Sequence, residues 1–277
     1  MRIGVDLGGT NIRASLVDDS GVIHNYRKER FHNMAPLEDT LAQLINFVKP
    51  LMGSDVRGVG IGVPSVVDPV KGIVYNVTNI PAWTAVPLAD KLRGAFNVPI
   101  AVNNDVNCFA LGEYRHGVLA GYNHVVGISC GTGLGSGIIT NGKLLTGARC
   151  GAGELGLINY LDKNIEYYAS GNFFQVHHGI SAEEANNKAS AGDNAMIDAW
   201  AVFGRHLAEA IKTVMYAYDP EAISIGGSLA KAFKLFEKPM RNALLTNFEF
   251  PESIRQVKIF QSTNEKISII GAASLIG

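Results

Sequence analysis

The sequence predicts an α/β protein made of two successive halves, each a mixed β-sheet with flanking helices. Three observations carry that expectation. Three strand-like runs with glycine-rich turns open the chain, and three more open a second series near residue 124. In each half the runs give way to alternating helix-like and strand-like segments. The first turn of one half, VDLGGTN, also resembles the first turn of the other, SCGTGLG, as a duplication would leave it.

The elements follow in order. RIGVDLG, IRASLVD and VIHNYRKERF read as strands separated by GGTN and DSG. From Pro36 to Met52, Leu37, Leu41, Leu44, Ile45 and Val48 recur at spacings of three and four, which predicts a helix with Pro36 suited to its first turn. VRGVGIGVP predicts a buried strand, LADKLRGAF a short helix, PIAVNND a strand and VNCFALGEYRHGV a helix. The pattern then restarts with HVVGISC, GSGIIT and KLLTG as strands. Helical segments come next, the longest at about residues 195–218, then the strand AISIGG, the helix PMRNALLTN, the strand VKIFQ and a last helix from near Ile269. The expected division is residues 1–105 as an N-terminal lobe, 106–268 as a C-terminal lobe, and 269–277 as a final helix packing back on the first lobe.

Composition narrows the function classes. A chain of 277 residues, 47 % hydrophobic and 18 % charged, can bury a substantial core. Its 24 basic and 25 acidic residues leave a formal net charge of -1, with no basic block, so a nucleic-acid partner is not expected. No apolar run approaches the roughly 20 residues of a membrane span. MRIGVDLGGT has no apolar signal core, so the expected location is cytoplasmic. Cys108, Cys130 and Cys150, spaced 22 and 20 residues apart, match neither a disulfide framework nor a CxxC knuckle and read as buried thiols.

The 31 glycines are gathered in clusters, which suggests tight backbone approaches. DLGGTN (6–11) and GTGLGSG (131–137) occupy equivalent turns, where consecutive N–H groups can face an anion. Either loop alone also reads as a plain hairpin turn, but two of them, with GGS (226–228) at a strand-to-helix turn, favour phosphate contact. Other phosphate motifs fail. The one Gly-Lys pair, Gly142-Lys143, is followed by Leu144 rather than Ser or Thr, and GTGLGSG has Ser136 where a dinucleotide fingerprint needs its third glycine. Gly127-Ile128-Ser129-Cys130-Gly131 fits GxSxG, yet runs on into a glycine loop and strand where a nucleophile elbow needs a helix.

An acid placed for chemistry stands in NNDVNCFALGE. Asp105 follows the strand PIAV at its carboxyl end, where open α/β sheets hold ligands. It could simply N-cap the next helix. Beside phosphate loops, it could instead accept a proton from an attacking hydroxyl.

DLGGTN, GVP (62–64), NIPAW (79–83), NNDVNCFALGE (103–113), GTGLGSG, GAGELG and IGGS, in this order, resemble the ROK family of bacterial sugar kinases and sugar-responsive repressors. The resemblance runs from Arg2 to Gly277. It implies a two-lobed, actin-like (ribonuclease H-like) ATPase fold with duplicated mixed sheets. It further implies ATP held by Asp6, Gly8, Gly9, Thr10, Asn11, Gly131, Thr132, Gly133, Gly135, Gly226 and Gly227, with Asp105 as catalytic base. Asn79, Asn104, Asp105, Glu154 and Glu166 match positions that hold sugar hydroxyls. Carboxylates suit that task because they accept hydroxyl hydrogen bonds strongly. Trp83 could wall the pocket or belong to the core. Mg²⁺ is implied by phosphoryl transfer, with Asp6 orienting its waters rather than a side chain ligating it directly. Homodimers are common in the family.

One departure stands out. Relatives follow GE(I/L/M)G with histidine and a zinc-holding cysteine cluster ending in Cys-(Leu/Ile)-Glu, whereas here Leu157 takes the histidine position and INYLDKNI, without cysteine or histidine, precedes Glu166. No structural zinc is expected, and His177 and His178 do not replace three thiolates. The functional expectation is an ATP-dependent hexose kinase. The alternatives are a sugar-binding regulatory protein with little catalysis, or a repressor of the same family lacking its DNA-binding domain.

Overall fold

The computed structural model describes residues 1–148 and 151–277, so Cys150 lies outside the described residues. The chain divides into two compact units. Met1–Ala120, Leu144–Ala152 and Asn264–Gly277 form the first, and Gly121–Lys143 and Gly153–Thr263 the second.

In the first unit β1 (Arg2–Leu7), β2 (Asn11–Val17) and β3 (Ile23–Arg30) form an antiparallel run, followed by α1 (Leu37–Val48) and β4 (Val59–Val63). A small sheet of β5 (Val66–Asp68), β6 (Ile73–Tyr75) and β7 (Ala85–Val86) precedes α2 (Leu88–Phe96), β8 (Ile100–Asn104) and α3 (Asp105–His116). The large sheet has the order β3-β2-β1-β4-β8, with β4 parallel to both β1 and β8. Alternation along the strands sorts its faces. Ile3, Val5, Val59 and Ile61 are buried in one cluster with Leu41, Leu44 and Phe47 of α1. Gly4 and Gly60, paired in register, point the other way. A Cβ at either would collide with the Ile269 or Ala272 carbonyl, so glycine lets a helix backbone lie directly on the sheet.

The second unit repeats this plan. β9 (Val125–Cys130), β10 (Leu134–Thr140) and β11 (Lys143–Leu144) lead to a hairpin of β12 (Asn159–Tyr160) and β13 (Lys163–Asn164). Then come α4 (Ile165–Ala169), α5 (Asn172–His178), α6 (Ala182–Ser190), α7 (Asn194–Tyr218), β14 (Ala222–Gly226), α8 (Phe233–Leu244), α9 (Pro251–Gln256) and β15 (Lys258–Gln261). The sheet order is β11-β10-β9-β14-β15, with β14 parallel to β9 and β15: third, second, first, fourth, fifth, as in the first unit. The Asp193 side chain accepts from Met196 N–H to start α7, and Trp200 and Phe203 pack that helix on Phe236 of α8. The chain ends by returning to the first unit as α10 (Ile267–Ala273), where Ile267, Ile269 and Ile270 join Phe109 of α3 in a second apolar cluster.

Several boundaries differ from expectation. The lobe boundary at residue 105 separates α3 from the first half, whereas α3 belongs to the first unit because α10 packs on it and on β1 and β4. Residues 144–152 and 264–268 also fall in the first unit. Helix α8 starts at Phe233 and contains Pro239. Proline favours a first turn, but Phe233, Phe236, Met240 and Leu244 bury one continuous face, and that burial sets the helix limits. Pro36 stands just outside α1 at its N-cap, and KLLTG contributes only the two residues of β11.

Candidate functional site

The first unit holds Asp6, the first glycine turn, Asn79, Asn104 and Asp105. Gly8 N–H donates to Asn11 O at 2.9 Å and Phe31 N–H to Thr10 O at 2.9 Å, which fixes the turn from inside. Asn11 Nδ2 donates to Thr10 Oγ1 at 3.0 Å. Gly9 lies against the side chain of Asn79, so the asparagine expected on the sugar side and the turn expected at the phosphates are neighbours. The register sets Asp6 opposite Arg13, whose guanidinium donates to Asp6 Oδ2 at 3.0 Å. Burial raises the Asp6 carboxyl above its ordinary pKa, and Arg13 opposes that shift.

Two adjacent residues divide the work at the start of α3. Asn104 is the N-cap: its Oδ1 accepts from Val106 N–H at 2.8 Å and from Asn107 N–H at 3.2 Å, while its Nδ2 donates to Ser65 O at 3.2 Å. Asp105 is the first helical residue, half-buried, with its Oδ1 accepting from Val106 N–H at 2.9 Å. Beneath them Asn103 Oδ1 accepts from Asn104 N–H and from the buried Asn107 Nδ2, so the turn is locked by two layers of amides. Capping therefore does not account for Asp105. Trp83 is a core residue, 0 % exposed, with its indole N–H on Thr40 Oγ1 at 2.8 Å and its ring edge-on to Phe31.

The second unit holds Glu154, Glu166 and the other glycine loops. The β9–β10 turn is Gly131, Thr132 and Gly133. Gly135 lies inside β10, opposite Ser129. Gly131 N–H donates to Gly133 O at 2.9 Å. Gly227 has φ 82, and a Cβ there would collide with the backbone of Cys130, so the residue that follows β14 must be glycine to pass β9 closely. Full burial pushes the Cys130 thiol up to about 12, as befits an inert core cysteine.

Glu154 is exposed on the segment after Gly153, whose φ of 98 turns the chain and whose carbonyl accepts from Ser136 N–H at 3.1 Å and Ser136 Oγ at 2.7 Å. Partial desolvation, then repulsion from Glu166, raises the Glu154 carboxyl above its ordinary pKa. Glu166 sits in the first turn of α4, capped by Asn164, and its Oε2 accepts from Leu134 N–H at 2.8 Å. The two acids therefore lie near enough on one unit to repel each other.

A cavity of about 660 Å³ lies between α7 and α8, and another, of about 650 Å³, adjoins the second glycine turn. The latter is lined by Gly131, Thr132 and Ser228, by Gln175 of α5 and Asn186 of α6, and by Lys231. Trp200 also lines it, and its buried indole N–H has no hydrogen-bond partner among the described residues. Glu183 shares the lining, so the cavity sets a glycine turn beside charges of both signs and neutral amides, a polar surface that could face the phosphates of a nucleotide. Sequence reading missed Arg13, Gln175, Asn186 and Lys231. The polar α6 segment AEEANNKAS reads as a solvated helix face, and only the fold brings it to the turn.

Leu157 is exposed, and among the described residues no group of three or more His, Cys, Asp or Glu could hold a metal. His177 and His178 belong to α5, where His177 packs against Tyr167, Tyr168 and Phe173. The hairpin before Glu166 is tied by Tyr160 Oη to His206 Nδ1 at 3.1 Å and by a Tyr168–Asp162 hydrogen bond.

Comparison with known proteins covers the whole chain. The model of the ROK family matches residues 2–277. The glucokinase of Thermotoga maritima is 27 % identical over 99 % of this chain and 96 % of its own length. The N-acetyl-D-glucosamine kinase of Pasteurella multocida is 29 % identical over 86 % of this chain and 87 % of its own. Among solved structures, a ROK family glucokinase from Streptomyces griseus in complex with glucose and AMPPNP superposes with a TM-score of 0.84 at 29 % identity, covering 99 % of this chain and 98 % of that one. With the repeated strand order, these neighbours give the chain the actin-like ATPase fold.

Proposed function

The chain belongs to the ROK family, and we propose that it is a carbohydrate kinase that transfers the γ-phosphoryl group of ATP to a hydroxyl, by our reading the 6-hydroxyl, of a hexose or N-acetylated hexosamine. The observation that carries the reading is the division of labour at α3: Asn104 caps the helix and Asp105 is kept at the carboxyl end of β8 for another purpose. That purpose is general-base catalysis. Asp105 takes the proton of the attacking hydroxyl as the oxygen–phosphorus bond forms, and ADP leaves. The relative solved with glucose and AMPPNP supports this substrate pair.

The other roles follow from the donor and acceptor inventory. Glu154 and Glu166 accept hydrogen bonds from sugar hydroxyls, and Asn79 and the second Nδ2 hydrogen of Asn104 donate to others. Gly8, Gly9, Thr10 and Asn11 in one unit, and Gly131, Thr132 and Gly133 with Gly226 and Gly227 in the other, serve the phosphates. Gly135 supports its turn from within the strand. Mg²⁺, when bound, would supply charge neutralisation for the transferring phosphoryl group, and the half-buried Asp6 carboxylate, held beside Arg13, would orient its waters. A homodimer in the cytoplasm completes the reading; no helix of the described residues is long and apolar enough to cross a membrane.

The test is ADP release with ATP and Mg²⁺ against a panel of free hexoses, amino sugars and N-acetylated sugars, with the Asp105→Asn protein as control. Turnover confined to one sugar class and lost in the control is the expected result. A folded protein that binds ATP and sugar yet turns over none would replace the kinase by a sugar-binding regulator.

A further inference from the structure

The carboxylate of Glu166 does not stand clear of the second glycine turn. Its Oε2 accepts from Leu134 N–H at 2.8 Å, the first residue of β10. A Cβ on Gly133 would stand 2.5 Å from that same oxygen. Gly133 is not among the residues with positive φ, so its backbone does not demand glycine; what a Cβ there would do is push the Glu166 carboxylate off its place. The far end of α4 grips the same turn, since Gly171 N–H donates to Gly131 O at 2.8 Å. One short helix thus holds both ends of the 131–134 turn, by a carboxylate at its start and a backbone N–H just past its end.

The Glu154 segment is tied to the same place. Gly153 O accepts from both the N–H and the hydroxyl of Ser136 on β10, and Gly156 leaves room for the Leu134 carbonyl and the Glu166 Cβ. A five-residue helix has too few internal hydrogen bonds to hold its own position, so α4 and the turn define each other.

We propose that Glu166 is a positioning residue for the nucleotide-phosphate turn as well as a sugar contact: Oε2 anchors Leu134 N–H, Oε1 is offered to a sugar hydroxyl, and binding of sugar and nucleotide is coupled through this one side chain. The proposal rests on the sugar-kinase reading for its ligands. Sugar that immobilises the carboxylate immobilises the turn, so each ligand raises affinity for the other by the same factor, on the order of 5- to 150-fold for ordinary couplings.

Calorimetry with a non-hydrolysable ATP analogue and Mg²⁺, in the absence of sugar, separates this role from sugar binding. Glu166→Ala removes the anchor and should weaken analogue binding about tenfold. Glu166→Gln keeps an amide oxygen for Leu134 N–H, so it should restore analogue affinity to within about twofold of wild type while sugar affinity stays reduced. Gly133→Ala, a change on the nucleotide side, should displace Glu166 and raise the Kd for sugar. Equal analogue affinity in wild type and Glu166→Ala overturns the proposal, as does equal loss in Glu166→Ala and Glu166→Gln. If Glu166→Ala does not fold, Gly133→Ala with unchanged sugar Kd overturns it instead. Because the first measurement uses no sugar, wild-type protein that binds the analogue but no sugar sinks the kinase reading while leaving the anchor decided.

Discussion

Replacing Asp105 by Asn separates fold from chemistry at a single atom. The helix-capping bonds come from Asn104, and an amide oxygen can take over the Val106 N–H that Asp105 Oδ1 holds at 2.9 Å. What the fold loses is a negative charge at the first residue of α3, about 0.3–1 kcal/mol. For a chain of this size that lowers Tm by less than about 4 °C. Catalysis loses its proton acceptor, which amounts to about 10²–10⁴ in kcat, or roughly 2.7–5.4 kcal/mol of barrier. Sugar KM should change little. The assay is ADP release at saturating ATP and Mg²⁺ beside a thermal melt of the same preparation. A folded Asp105→Asn protein with kcat within tenfold of wild type would refute the assignment of the base.

Other perturbations probe the remaining features. Because partial desolvation and Glu166 raise the Glu154 carboxyl, it protonates at a higher pH than an ordinary glutamate, so sugar affinity should be full above that raised pKa and fall as pH drops through it. Glu166→Gln removes one cause and should move the fall to lower pH; an unmoved profile would deny the pairing. Thr40→Val strands the Trp83 indole N–H in the core at about 1–3 kcal/mol, roughly 2–12 °C in Tm, with sugar KM unchanged; the reverse pattern would return Trp83 to the pocket. Protein stripped with EDTA and given back Mg²⁺ alone should recover full activity, whereas stoichiometric zinc in the purified protein would refute the expectation of no structural zinc.

Particular residues show what the sequence could and could not say. Duplication was legible because its two first turns, GGT and GTG, keep their glycines, and strands such as VGIGV announce themselves by composition. Placement of α3 and α10 was not, because their contact joins residues more than 150 positions apart in the chain, 109 with 267, and local periodicity carries no partner. The short strands β5, β6 and β7 fall below the length at which alternation can be recognised. Within the site, Asp105 could be singled out by its motif, but its release from capping needed the Asn104 bonds. Resemblance gave Glu166 only the expectation of a sugar-side role, and its grip on Leu134, thirty-two residues earlier, is tertiary information. Arg13 pairs with Asp6 only through strand register.

The return of the chain to its first unit sets an order of events at the ribosome. Residues 1–120 emerge with the glycine face of β1 and β4 bare, and the helix that covers it is translated after the whole second unit. At about 5–20 residues per second, the interval between residue 120 and residue 277 is on the order of 10 s. During that time the nascent first unit exposes the apolar side of α3, while the second unit receives its last strand, β15, by residue 261, before α10 is made. Maturation thus runs against the direction of synthesis, the later-made unit completing before the earlier one, and the nascent protein's need for chaperones should be concentrated in that window.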